Sequence, residues 1–401
     1  MILPDKHNGT AVETSILIVD DNPKNLQILG NYLQNEGYHV EFALEGDSAL
    51  KWVERMEFDL ILLDIMMPGR DGYDVCKIIK SVPVKQKIPI IFLTAKTDTE
   101  SIVKGFDSGA VDYITKPFNQ KELLARVRTQ IELKRNRDEI AKNLEDIEYK
   151  NKLITYSIQY AQTIQSAVIK ASQNGSAVFK EQFFLFLSRN IVSGDFYWFH
   201  NTGRKILAGV FDCTGHGIPG AFMSILGITL LNETVIREEI VEPPLILKRL
   251  REKIIEALGQ KGECFEVKDG MDGAIISYDL NNKTLVYSGA FNPVFILRNN
   301  DIIELKGDKK SLAYSENLSD FSLQKMILHP DDIIYMFTDG YKDQFGGQDM
   351  KKLGSCRFRE LLIRSHKNPL ETQKQLLLDA LNDWKGNEEQ VDDITVVGLK
   401  L

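Results

Sequence analysis

Hydrophobic positions follow two different rhythms at the two ends of the chain, with a third between them. From residue 15 to 130, short apolar runs alternate with amphipathic stretches. The runs are SILIVD, HVEFA, FDLILLD, IPIIFLT and VDYIT. A short continuous apolar run is what a strand buried on both faces requires. Between the first two runs, Leu26, Leu29 and Leu33 fall at helical spacing. Five such repeats predict a doubly wound α/β sheet of the flavodoxin-like kind, which binds ligands at the carboxyl ends of its strands.

The middle rhythm is helical. No Pro or Gly occurs between Phe118 and Ser172. Leu133, Ile140, Ile147, Ile154 and Ala161 recur every seven residues, and Leu144, Asn151 and Ile158 form a second seam. This is an a/d heptad with Asn151 at an a position, and one such Asn costs stability but fixes a parallel two-stranded register. Residues 133–170 are therefore expected to be a coiled-coil linker, with two copies pairing as a parallel homodimer over 133–165. One long helix packed on its own domain is the alternative.

After a short break at ASQNGSAVFK the pattern becomes strand-rich, and 171–401 is expected to be one further domain. Helices are predicted from about Ile218 to Ile236, where Gly217 and Pro219 suit a helix start, and over 244–259. Asn281-Asn282 and Asn299-Asn300 each separate two strand-like runs. Both read as hairpins, because Asn tolerates φ > 0.

Composition narrows the function classes. A chain of 401 residues suits two or three domains. A hydrophobic content of 43% and a charged content of 26% fit a globular protein. The net charge of −8 leaves no electrostatic footprint for nucleic acid. Cys76, Cys213, Cys264 and Cys356 are scattered, which fits a reducing compartment better than a disulfide scaffold. The start, MILPDKHNGTAVET, lacks a hydrophobic signal core, and the apolar run Ala221 to Leu231 is too short to span a bilayer. These features predict a cytoplasmic protein with neither membrane nor nucleic acid as partner.

Candidate chemistry sits at strand ends. In the first domain, strand one ends in Asp20-Asp21, strand three in Asp64 followed by IMMPG, strand four in Thr94, and Lys116-Pro117 follows strand five. Carboxylates gathered on one rim can hold a divalent cation, a Lys offsets charge, and one Asp is left as a nucleophile. The pattern resembles the receiver domain of bacterial two-component response regulators, over about residues 15–132. The resemblance implies that Asp64 accepts phosphate from a sensor histidine kinase. It further implies Mg²⁺ held by Asp21 directly, by Asp20 through water, and by Asp64 and the Met66 carbonyl. Lys116 would pair with the acyl phosphate, and Thr94 with Tyr113 would be the switch pair. Tyr113 reads equally as an ordinary strand aromatic.

In the last domain Asp195 opens the aromatic run FYWF, Asp212 ends ILAGVFD, Asp339 follows IIYMF, and Asp392-Asp393 precede ITVVGL. Close unpaired carboxylates raise one another's pKa, and a hard cation removes that conflict. Four acidic positions at strand ends read as a binuclear metal site. The ordered set SGDFYWF, DCTGHGIPGAFMS, FTDGYKDQFGG and QVDDITV resembles the 2C-type serine/threonine phosphatases, in the branch named after sporulation stage II protein E. The resemblance implies a two-sheet sandwich flanked by helices and two Mg²⁺ or Mn²⁺ ions. Asp212 would bridge the ions, the Cys213 carbonyl would bind one, Asp339 and Asp392 would complete the second, and Asp195 would hold metal water. The catalytic set is thus Asp195, Asp212, Asp339 and Asp392. The implied reaction is hydrolysis of phosphoserine or phosphothreonine in a regulatory partner such as an anti-sigma-factor antagonist. Asp272 reads first as a turn residue that could still approach the metals, and His216 as a structural residue between two glycines, with a general acid as the alternative.

Two functions follow from these features. One is a phosphatase controlled by receiver phosphorylation. The other is a dimeric signalling scaffold that binds a partner without catalysis, for which keeping all four acids would be unnecessary. A transcription-factor output is disfavoured by the acidic charge and the lack of a helix-turn-helix.

Overall fold

The computed structural model describes residues 14–95, 99–173, 176–261, 269–315 and 318–401. The N-terminal stretch read for a signal core, and Cys264, lie outside these residues. The chain divides into two compact units, one ending at Asn151 and the other beginning at Lys152. The division falls within a single helix, so the segment expected as a separate linker is shared between the units.

The first unit alternates β1 (Ser15–Val19), α1 (Pro23–Gln34), β2 (His39–Ala43), α2 (Gly46–Arg55), β3 (Leu60–Asp64), α3 (Gly72–Ser81), β4 (Ile90–Thr94), α4 (Thr99–Asp107), β5 (Asp112–Thr115) and α5 (Gln120–Ala171). The strands are parallel in the order β2-β1-β3-β4-β5, the flavodoxin-like order. Leu17, Val19, Ile61, Leu63 and Phe92 face α2 and α3, while Ile16, Ile18, Leu62, Ile91 and Leu93 face α1 and the start of α5. Both faces are covered, which is why the inner strands β1, β3 and β4 read as apolar runs, while the edge strands β2 and β5 carry polar residues. In the first unit the buried face of α5 ends at Ile131. Beyond it the heptad residues Leu133, Ile140, Leu144, Ile147 and Ile154 are each about half exposed.

In the second unit a short 3₁₀ turn over Ser176–Val178 follows the end of α5. Then come β6 (Glu181–Leu187), β7 (Phe196–Asn201), β8 (Lys205–Cys213), α6 (Ile218–Asn232), α7 (Pro243–Ala257), β9 (Met271–Asp279), β10 (Thr284–Ala290), β11 (Val294–Arg298), β12 (Asp301–Leu305), β13 (Gln324–Ile327), β14 (Ile333–Phe337), the one-turn α8 (Gly340–Asp343), the small pair β15 (Phe345–Gly346) and β16 (Lys351–Lys352), α9 (Gly354–Ser365), α10 (Leu370–Lys385) and β17 (Ile394–Lys400). Two five-stranded sheets, β13-β10-β9-β8-β7 and β12-β11-β14-β17-β6, form a sandwich. Period-2 alternation on β14 shows how. Ile334 and Met336 enter the core shared with Leu207, Ile275, Leu250 and Ile254, whereas Ile333, Tyr335 and Phe337 pack on Phe358, Leu362 and Leu377 of α9 and α10. Each such apolar side chain taken from water contributes about 1.5–3 kcal/mol before entropy is counted.

Three expectations change. The stretch Ile218–Arg237, α6 extended by a π turn, is 20 residues with mean hydropathy 1.3, long and apolar enough to cross a bilayer by length and composition. Half of it is buried within the domain, through residues such as Met223, Ile228 and Leu231. In the first hairpin the positive φ falls on Lys283, not on Asn281 or Asn282, whose N–H groups instead donate to Asp279 Oδ1. In the second, Asn299 and Asn300 both have positive φ, as expected. Asp272 is not in a turn: it lies in β9, directly opposite Asp212 on β8. The neighbouring Gly273 permits this, because a Cβ there would fall 2.1 Å from the Phe211 ring.

Candidate active site

Both acidic clusters are built where strands end. In the first unit, Asp20, Asp64 and Lys116 meet on the carboxyl rim. The Lys116 ammonium donates to Asp20 Oδ2 at 2.8 Å and to Asp64 Oδ2 at 2.7 Å. Asp20 is fully buried and also accepts from the Asn22 N–H and the Asn25 amide. Burial pushes the Asp64 carboxyl above its ordinary value, and Lys116 opposes that shift. Burial works against the Lys116 charge in turn, but its two carboxylate partners hold its pKa above the ordinary value. Asp20, Asp21 and Asp64 each offer a carboxylate oxygen, and these oxygens lie within 4.8 Å of one another. That donor set fits one hard divalent cation. Met66 is exposed beside them, with its N–H 3.4 Å from Asp64 Oδ1. Thr94 is buried at the end of β4. The ring of Tyr113 is half-buried, edge-on to Phe106, with the Arg126 guanidinium over its face.

In the second unit the acids come from both sheets. Asp212 closes β8 and Asp272 opens β9 in one sheet; Asp339 follows β14 and Asp392 precedes β17 in the other. Asp195 immediately precedes β7 and is 1% exposed. Its Oδ2 accepts from the hydroxyls of Thr338 and Thr395, both at 2.7 Å. Its Oδ1 is buried with no hydrogen-bond partner. Such an orphaned oxygen is costly unless something positive meets it.

The electrostatics agree. Burial, then the charges of Asp195, Asp339, Asp392 and Asp272, push the Asp212 carboxyl up to about 10. Burial likewise raises Asp195, Asp272 and Asp392, with Asp339 adding to the last two. Five carboxylates thus share one field with no basic side chain hydrogen-bonded to Asp195. The orphaned Oδ1 and the mutual repulsion fit divalent cations, which take oxygen ligands and neutralise the set. Among the described residues, only the first unit's trio brings its oxygens within 4.8 Å of one another. The wider spacing of the second set suits ions that keep part of their water shell.

Close backbone approach assembles the second set. A Cβ on Gly340 would fall 2.0 Å from the Asp393 carbonyl, so glycine lets Asp339 come up against the start of β17. A Cβ on Gly220 would fall 2.3 Å from the Gly215 carbonyl and 2.9 Å from Gly194 Cα, which draws the loops around Asp195 and Asp212 together. Cys213 is buried, and its carbonyl lies on the Gly194 side. His216 is exposed in its turn.

The roles of several residues here escaped the sequence reading. Asp393 is 3% exposed and clamps the loop before Asp195, accepting from the Arg189 N–H at 2.7 Å and the Gly194 N–H at 2.6 Å. Gln165, on the last turns of α5, donates to the Ser193 carbonyl at 2.6 Å and to Ser224 Oγ at 2.8 Å, and accepts from the Ser193 N–H at 3.1 Å. Thr338 and Thr395 stood beside quoted acids, and their position was the available signal.

Residues 16–128 match the family model of the response regulator receiver domain, and residues 202–401 match that of stage II sporulation protein E (SpoIIE). The SiaA-PP2C domain of Pseudomonas aeruginosa is 28% identical, covering 63% of this chain and 98% of that domain with a TM-score of 0.57. The DNA-binding response regulator MtrA of Mycolicibacterium smegmatis is 46% identical over 129 residues, 32% of this chain and 54% of that protein. The transcriptional regulatory protein ResD of Bacillus subtilis is 45% identical over 116 residues, 29% of this chain and 47% of that protein. The chain thus spans about half the length of these curated relatives. It carries a response regulator receiver domain followed by a PP2C-type domain of the SpoIIE family.

Proposed function

We propose that this chain is a protein serine/threonine phosphatase whose output is set by phosphorylation of its receiver at Asp64. The observation that carries the reading is Asp195: one oxygen is pinned by two threonines, and the other is buried without a partner among Asp212, Asp272, Asp339 and Asp392. A field of unneutralised acid of this kind serves a metal-dependent hydrolase and has no use in a scaffold.

Asp212, Asp339, Asp392 and the Cys213 carbonyl would hold two Mg²⁺ or Mn²⁺ ions, with Asp195 and Asp272 beside them. When bound, the cations supply Lewis acidity and lower the pKa of water. The chain's own part is positional. Thr338 and Thr395 orient Asp195, Asp393 fixes the Gly194 backbone, and Gly340 brings Asp339 in. In the receiver, Asp20, Asp21, Asp64 and the Met66 carbonyl would hold Mg²⁺, and Lys116 would meet the phosphate accepted by Asp64. A sensor histidine kinase is the matching donor, and a phosphorylated regulatory protein, such as an anti-sigma-factor antagonist, the matching substrate. The half-exposed heptad stripe on α5 supports a parallel homodimer over 133–165.

The test is phosphate release from p-nitrophenyl phosphate and from phosphoserine peptides, with Mn²⁺ added. Wild-type chain should turn over both, and Asp212→Asn should lose at least about 100-fold. Near wild-type turnover by Asp212→Asn would overturn the reading.

A further inference from the structure

We propose that a cleft between Phe291 and Tyr314 recognises the residues flanking the phosphorylated side chain of the substrate, taking an apolar or aromatic side chain with an acidic neighbour. This rests on the phosphatase reading above.

The cleft joins the acid cluster through Ser311. The Ser311 hydroxyl donates to the Met271 carbonyl at 3.0 Å, one residue from Asp272. The Leu312 N–H donates to the same carbonyl at 2.9 Å. The stretch from Ser311 therefore runs beside Met271 and Asp272, and Asp272 stands opposite Asp212. Next to Ser311 opens a cleft of about 430 Å³ lined by Phe291, Asp308, Lys309, Lys310 and Tyr314, with the Asp308 carboxylate already accepting from the Ser322 N–H at 2.6 Å. An extended peptide advances about 3.3 Å per residue. A phosphoserine seated among the acids would thus bring a nearby residue of the same peptide to this cleft.

The lining has the chemistry of a recognition surface. Phe291 has φ +58° and is 48% exposed, so an aromatic residue is held in the left-handed region and its ring turned toward water. Such backbone is disfavoured for a residue other than glycine and collects at binding sites. The surroundings hold it there: the Phe291 N–H donates to the Asp308 carbonyl at 2.8 Å, and the Tyr287 hydroxyl to the Asn292 carbonyl at 2.7 Å. Tyr314 is 41% exposed, while its N–H is fixed to Gln260 Oε1 at 2.9 Å. Two exposed aromatic rings on anchored backbone are typical contact anchors. The charges nearby differ in kind. Lys310 is tied to Ser319 and lies over the Phe321 ring. Lys309 is exposed and makes no ion pair among the described residues. It offers a cation to an acidic residue of the peptide, beside a catalytic cluster that repels one.

Three variants test this: Phe291→Gly, which keeps a residue suited to positive φ, Tyr314→Ala and Lys309→Glu. Each is assayed with Mn²⁺ on p-nitrophenyl phosphate and on a degenerate phosphoserine peptide library. Wild-type chain should prefer peptides with an aromatic or aliphatic residue within about three positions of the phosphoserine. Phe291→Gly and Tyr314→Ala should lower kcat/KM for those peptides about tenfold and leave p-nitrophenyl phosphate unchanged. Lys309→Glu should turn a preference for acidic neighbours into one for basic neighbours. Peptide selectivity absent from wild type, or unchanged in all three variants, overturns the subsite while the phosphatase reading stands. A wild-type chain inert toward both probes, with and without acetyl phosphate, overturns the phosphatase reading, and this inference with it.

Discussion

The Thr395 hydroxyl donates to Oδ2 of Asp195 at 2.7 Å, joining residues 200 positions apart in sequence. Thr338 donates to the same oxygen, and its own Oγ1 accepts from the Thr395 N–H at 3.0 Å. The two threonines and the aspartate form one buried unit in which only Oδ1 is left to face the other acids.

Removing that unit should impair the site before it harms the fold. Thr395→Val keeps the volume and deletes the donor, so Asp195 loses one of its two fixed partners. A lost hydrogen bond to a buried charged group costs about 1.5–3 kcal/mol. Phosphatase kcat should fall at least tenfold at saturating Mn²⁺, and a melting curve should show one cooperative transition lowered by only a few degrees. Unchanged kcat would mean that Asp195 needs no orientation.

Gln165 gives a second expectation. It satisfies both the N–H and the carbonyl of Ser193, two residues before Asp195. In Gln165→Leu those buried backbone groups lose their partners, at about 1–3 kcal/mol each. Activity at limiting Mn²⁺ should drop more than activity at saturating Mn²⁺, since the loop carrying Asp195 is no longer held. A manganese titration of both proteins decides; parallel curves would confine Gln165 to stability.

A third expectation concerns pH. In the metal-free chain the Asp212 carboxyl moves from 3.8 up to about 10 on folding. Between those values the native state keeps a proton that the unfolded state has released. The contribution of Asp212 to stability therefore falls as pH rises through that window, and the raised Asp195, Asp272 and Asp392 act in the same direction. Denaturant midpoints in EDTA at about pH 5 and about pH 8 should show wild type losing ground to Asp212→Asn at the higher pH. Added Mg²⁺ should reverse the order at the higher pH, because binding favours ionised ligands. Equal midpoint differences at both pH values would sink the assignment.

The fourth concerns coupling. Acetyl phosphate with Mg²⁺ should add one phosphoryl group to wild-type chain and none to Asp64→Asn, read by intact mass. Two glycines inserted near Lys142 interrupt an α5 that otherwise contains neither Gly nor Pro. The inserted chain should still take phosphate and still hydrolyse p-nitrophenyl phosphate, but acetyl phosphate should no longer change its turnover. Asn151→Leu should tighten self-association in sedimentation and weaken the response. A preserved response after glycine insertion would exclude α5 as the route.

Much of this was legible in the chain because buried parallel strands leave an apolar run, and the first, third and fourth runs here end in Asp20, Asp64 and Thr94 on the rim. Asp195, Asp212, Asp339 and Asp392 likewise stand at the ends of strand-like runs in the sequence. Other features were not legible, for identifiable reasons. Asp392 and Asp393 are adjacent, and only the entry angle of β17 decides that Asp393 turns to the Gly194 loop. Asp272 looked like a turn residue because Gly273 follows it, whereas that glycine serves to clear the Phe211 ring. Gln165 lies among heptad positions, where a buried polar side chain resembles a register device until its partners on Ser193 and Ser224 are seen.

The acid set draws Asp212 and Asp272 from one sheet and Asp339 and Asp392 from the other. Their separation is therefore a measure of the gap between the layers, fixed by the side chains packed between them. A core substitution such as Ile334→Ala, which removes a side chain packed between the sheets, would alter that gap without touching a ligand. Its signature would be a changed metal affinity in a chain whose acids are all intact. The sandwich acts as a spacer, and the chemistry at its mouth depends on its thickness.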